Sequence, residues 1–167
     1  MVPITDLKGL VQERLNYGDC KDAVANLINK AAELSNGKND AISTDIEKLY
    51  GMIDSQAKGG FRPNSTSKDI LSRFGPVSGG SGLAWGNILR GDATAMIFLK
   101  GGYSDNPASL ARLPYDYGIS GVHEIIHLAG KNTTYSEELL DRAARGLERG
   151  TNFDKYLKDH CLLAKFR

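Results

Sequence analysis

Val122-His123-Glu124-Ile125-Ile126-His127-Leu128-Ala129-Gly130 is the stretch on which the reading of this chain turns. Read as a helix over 120–129, capped by Ser120 and ended by Gly130, it separates into two faces. At about 100° per residue, His123, Glu124 and His127 fall within one arc of about 100°. Val122, Ile125, Ile126, Leu128 and Ala129 cover the remainder. Such a helix can pack on a core and line a cleft at once. Two histidines four residues apart stand one turn apart on the same face, so both imidazoles can reach one metal ion. The pentad also uses two of only three histidines in the chain, which leaves little room for a chance spacing. Glu124 then lands beside the ion, where a carboxylate can take a proton from water.

A metal centre that works on substrates usually takes three protein ligands and keeps one position open. The segment after the pentad offers the third. Residues 131–135 read as a loop, and Ser136 can cap a second helix whose apolar face is Leu139, Leu140, Ala143, Ala144 and Leu147. Glu137 and Asp141 stand at the edge of that face. Glu138, Arg142 and Arg145 point toward water. Glu137 is therefore the better placed inward ligand, with Glu138, Asp141 and His160 as alternatives.

These residues resemble the thermolysin-type glutamate-zincins, zinc metallopeptidases in which HExxH is followed by an ExxxD helix. The resemblance covers about twenty residues, 122–141. It implies Zn2+ held by His123, His127 and Glu137, Glu124 as general base, and Asp141 behind the first histidine as its hydrogen-bond acceptor. It implies hydrolysis of a peptide or protein substrate by zinc-activated water. Tyr135 and His160 are the foremost candidates to steady the developing oxyanion, with Tyr103, Tyr115 and Tyr117 behind them. The spacer between the two motifs is shorter than in thermolysin itself. The longer HExxHxxGxxH pattern is missing, because position 133 is threonine.

Around this centre the chain reads as α+β and zincin-like, one domain over residues 1–167. Helices are expected over 6–17, from Asp19 onward to Leu34, and after Ser43 or Thr44. A short helix is expected over 68–74, and a last one over 153–164. The clearest strand is 93–100, with 85–89 as its neighbour and Arg90-Gly91-Asp92 as the turn between them. A peptide could lie along the 93–100 strand by β-addition. Residues 61–68 and 103–118 read as loops. The glycine-dense run from Gly75 to Gly82 lacks the lysine and hydroxyl residue of a phosphate-binding loop.

A net charge of +1 gives no basic face for nucleic acid. No apolar run reaches the roughly 18 residues of a membrane span, and 1–17 has no signal pattern. The chain is expected to be cytoplasmic, or part of a longer exported protein. Cys20 and Cys161 are the only cysteines. They could form one bridge or remain reduced thiols. Two non-catalytic alternatives stand beside the peptidase. One is a structural zinc site drawing on His123, His127, Cys161 and either Cys20 or His160. The other is a zincin-fold binding module without turnover.

Overall fold

The structure is a computed structural model, and it describes residues 2–3, 7–55, 82–99 and 117–162. It is predominantly helical, with a small antiparallel sheet. In chain order the elements are β1 (Val2–Pro3), α1 (Leu7–Leu15), α2 (Cys20–Leu34), α3 (Ile46–Ser55), β2 (Gly82–Trp85), β3 (Thr94–Leu99), α4 (Tyr117–His127), α5 (Glu137–Leu147) and α6 (Phe153–Cys161). The expected short helix over 68–74 and the loop over 61–68 lie outside the described residues, as does most of the expected loop over 103–118.

Helix α4 is the hub: it touches α1, α3, α6, β2 and β3. Its greasy face explains why, since Val122, Ile125 and Ile126 are fully buried. Each such side chain contributes roughly 1.5–3 kcal/mol through removal from water. The helix begins at Tyr117, a turn before Ser120, so Ser120 is an interior residue and not the cap. Helix α5 lies on α2 and α6. Small residues on both sides, Ala23 and Ala31 on α2 and Ala143 and Ala144 on α5, are buried. Leu147 stays exposed, at the outer end of the expected stripe.

Side-chain caps set the starts of α3, α5 and α6. Ser136 accepts a hydrogen bond from Leu139 N at 3.1 Å, as expected for α5. Asn152 does the same for α6 through Lys155 N at 2.8 Å. Asp45 serves α3, accepting from Glu47 N at 3.0 Å, in place of Ser43 or Thr44. Asp19 precedes α2 but makes no side-chain cap bond; its carboxylate faces His160 instead.

The sheet order is β1-β3-β2, all antiparallel. Val2 and Pro3 pair with Leu99 and Phe98, and Gly82–Trp85 pairs along Thr94–Ile97. Strand β3 is thus the middle strand and not the edge that peptide addition needs. The strand expected over 85–89 lies earlier, at Gly82–Trp85. Asn87 breaks it: the side chain accepts from Leu89 N and Arg90 N and starts a 3-10 turn over Ile88–Arg90. Gly91, in the left-handed region at φ 77°, completes the turn. Asp92 accepts from Asn87 N at 2.7 Å, so Arg90-Gly91-Asp92 is a turn closed on itself.

Cys20 and Cys161 are joined by a disulfide with Cα atoms 4.7 Å apart. It ties the start of α2 to the end of α6. Buried Arg14 supports the same corner, donating to the Cys161 carbonyl at 3.4 Å.

Candidate metal centre

His123 and His127 come from successive turns of α4, and Glu137 is the first residue of α5. The three meet at one point. His123 Nε2 and His127 Nε2 lie 3.2 Å apart, and Glu137 Oε1 is 2.7 Å from the first and 2.8 Å from the second. Among the described residues this is the one group of three or more histidine, cysteine or carboxylate side chains positioned to hold a metal ion. Glu137 is therefore the acidic side chain brought to the histidines. Glu137 and its neighbour Glu138 are both exposed, but only Glu137 belongs to the group.

The loop between the helices sets the proton positions. Tyr135 N donates to the His127 carbonyl at 2.9 Å, and the Tyr135 carbonyl accepts from His127 Nδ1 at 2.5 Å. A carbonyl cannot donate, so Nδ1 carries the hydrogen. The neutral ring then presents a lone pair from Nε2, aimed at the Glu137 carboxylate. Two acceptors facing each other at 2.8 Å need a positive centre between them. A proton or a divalent cation supplies it. Ligands about 2 Å from a tetrahedral zinc stand roughly 3.3 Å apart, so the histidine pair is already at that spacing. The carboxylate has closed in to hydrogen-bond distance. The residues present thus could hold a divalent metal ion.

The electrostatics follow from these contacts. Hydrogen bonding to His127, helped by the charge of His123, holds the Glu137 carboxyl down at about 2. Burial and the neighbouring His127 push His123 below its ordinary value. Burial also opposes charge on His127, but the Glu137 carboxylate and the Tyr135 carbonyl outweigh it and hold the ring above its ordinary value. Glu124 sits close enough to feel His127 and Glu137; burial lifts its carboxyl to about 7.

Asp141 is a departure from the expected arrangement. It accepts from Phe153 N at 2.9 Å and makes no bond to His123. The reason is the tight connection from α5 to α6, which delivers the first backbone N–H of α6 to the Asp141 carboxylate. The ring of that same Phe153 stacks on His123, with centroids 4.2 Å apart, and meets His127 edge-on at 5.7 Å. Phe153, anticipated only as core, is the side chain that braces His123.

Neither foremost oxyanion candidate is available. The Tyr135 hydroxyl is buried and donates to the Asn39 carbonyl at 2.9 Å. His160 has both ring nitrogens engaged, Nδ1 by Asp19 at 3.0 Å and Nε2 by Glu148. This also removes His160 as a metal ligand. Tyr103 and Tyr115 lie outside the described residues, as does the side chain of Tyr117. Cys20 and Cys161, being bridged, have no thiolate to offer, so the closed cysteine-containing zinc site does not form.

Comparison with family models, with curated proteins and with solved structures finds no match to this chain.

Proposed function

We propose that this chain is a zincin-like zinc metallopeptidase domain acting on peptide or protein substrates. The observation that carries the reading is the convergence of His123 Nε2, His127 Nε2 and Glu137 Oε1, with His127 locked by the Tyr135 carbonyl so that its lone pair faces the others. The two helices that bring them, one with HExxH and the next beginning at the glutamate, support the zincin-like arrangement.

Zinc, when bound by His123, His127 and Glu137, supplies Lewis acidity: it lowers the pKa of water from about 15.7 toward 7 and polarises a carbonyl. The other tasks belong to the chain. The Tyr135 carbonyl fixes the His127 tautomer, and Phe153 holds the plane of His123. Glu124 takes a proton from the attacking water and passes it to the leaving amine. Its buried carboxyl, near 7 with no cation beside it, drops when a divalent cation is present, so it works as the carboxylate. The disulfide goes with an oxidising setting, and we place the domain's working compartment there.

The test combines metal analysis with turnover. One zinc per chain is expected, together with cleavage of a diverse peptide library that stops on chelation and returns with zinc. A chain that binds zinc and cleaves nothing in that library is a zincin-fold binding module instead. A chain with no zinc affinity removes the centre altogether.

A further inference from the structure

We infer that Asn39 is a positioning residue for this centre: its carboxamide sets the course of the 131–135 loop, and thereby the carbonyl that orients His127. The inference rests on the metallopeptidase reading above and adds to it a residue from a distant part of the chain.

Asn39 lies beyond α2 and is buried. Its Oδ1 accepts from Asn132 N at 2.9 Å and from Thr133 N at 3.4 Å. Its Nδ2 donates to the Thr133 carbonyl at 3.0 Å. Its own carbonyl accepts from the Tyr135 hydroxyl. One residue thus meets backbone groups of 132 and 133 and the side chain of 135. It is itself anchored, since Asn39 N donates to Ser35 Oγ at 3.2 Å at the end of α2.

The requirement is chemical. A loop without regular structure must find partners for its peptide groups. Here it offers donors and an acceptor side by side. Only a carboxamide matches both from one flat group. Asp would keep the acceptor and lose the donor; an apolar residue would lose both. The surrounding backbone reserves the space. Ile42 N donates to the Ala129 carbonyl and Lys131 N to the Asp40 carbonyl, both at 2.8 Å. At Gly130, any Cβ would come 2.1 Å from the Thr133 carbonyl and 2.9 Å from Asn39 Nδ2. Asn87 ties the loop from its other side by donating to the Lys131 carbonyl at 3.0 Å.

The loop is what joins His127 to Glu137. Its last residue, Tyr135, exchanges two hydrogen bonds with His127, and the next, Ser136, caps α5. A shift at 132–133 therefore moves the carbonyl that fixes the imidazole and the start of the helix that carries the carboxylate. Partners of metal-bound histidines commonly change metal affinity 10–100-fold when lost.

The experiment measures zinc affinity by chelator competition, and the electronic spectrum of the Co2+ form, in the full chain. Asn39→Ala is expected to bind zinc about tenfold or more weakly and to shift the Co2+ bands, with Asn39→Asp in between. Tyr156→Phe is the control: it removes a buried bond to the Ala23 carbonyl, remote from the loop, and should keep the parent affinity and spectrum. Should Asn39→Ala not fold, Asn39→Asp and Tyr135→Phe decide, each with an expected loss of about threefold or more. Parent-like affinity and spectrum in the Asn39 variants overturn the inference while leaving the zinc centre standing. An equal loss in Tyr156→Phe also overturns it, because general loosening would then explain the effect. Absence of zinc binding in the parent overturns the centre itself, and this inference with it.

Discussion

Two histidine clusters in this chain use the same chemistry to opposite ends. At one, His123 Nε2, His127 Nε2 and Glu137 Oε1 meet at a common point. At the other, His160 lies between two carboxylates, Asp19 on Nδ1 and Glu148 on Nε2. A single proton satisfies the second cluster, because a charged imidazole donates from both nitrogens. At the first, one carboxylate oxygen faces two imidazole nitrogens that also face each other, a grouping that could hold a metal ion. Convergence of three possible ligand atoms marks a candidate metal centre; the mere presence of histidine beside acid does not.

The largest way to break this comparison is at Glu124. Glu124→Gln should retain zinc and lose roughly 10²–10⁴-fold in peptide hydrolysis, the range that general-base catalysis supplies. Parent-like kcat/KM in that variant would remove Glu124 as base. Ligand removal comes next. His127→Ala or Glu137→Ala should weaken zinc binding about a hundredfold or more, whereas His160→Ala should leave it within twofold. If His160→Ala releases zinc as readily, the two clusters are not distinct in kind.

The disulfide sharpens the contrast from the other side, since Asp19 and His160 each adjoin one of its cysteines. Replacing Cys20 and Cys161 by serine should cost about 2–5 kcal/mol by urea denaturation. The folded double variant should still bind zinc with near-parent affinity. A collapse of zinc affinity at temperatures where that variant is folded would show that the corner and the centre are coupled.

The smallest effect is a pH dependence at His160. Burial opposes its charge, but Glu148 and Asp19 outweigh burial and raise its pKa above 6.5. A raised histidine stabilises fully below the unfolded value, and the contribution fades as pH climbs through the folded value. The corner is partly open to solvent, so the gain should be below about 1 kcal/mol. The stability difference between the parent and His160→Gln, measured at pH 5.5 and again near pH 9, should shrink at the higher pH. A constant difference would mean that His160 serves only by packing on Tyr156.

Much of this was legible in the residues. Helices α2, α4, α5 and α6 follow from apolar spacing and from caps such as Ser136, and the His-Glu-x-x-His spacing needs only helical geometry to bring two imidazoles together. Its place on the α5 wheel marks Glu137 as better placed than Glu138 to turn toward the histidines, which it meets with an exposed side chain. What escaped depends on contacts between distant segments. The Asp141 bond to Phe153 N exists because of how α6 leaves α5, which no spacing records. Asn39 lies in a polar stretch that reads as an ordinary loop; its partners are 132, 133 and 135. The two-residue strand Val2–Pro3 is too brief for any periodicity. Trp85, Ile88 and Leu89 look like strand residues, yet Asn87 between them favours a capped turn. Cysteine spacing alone could not decide between bridge and thiols.

The link between Cys20 and Cys161, 141 positions apart, closes the chain between them into a covalent ring. A single backbone cut anywhere between those positions leaves the two fragments joined until the bridge is reduced. Such a nicked molecule would run as one species on a non-reducing gel and as two after thiol treatment, with His123, His127 and Glu137 kept on one connected scaffold.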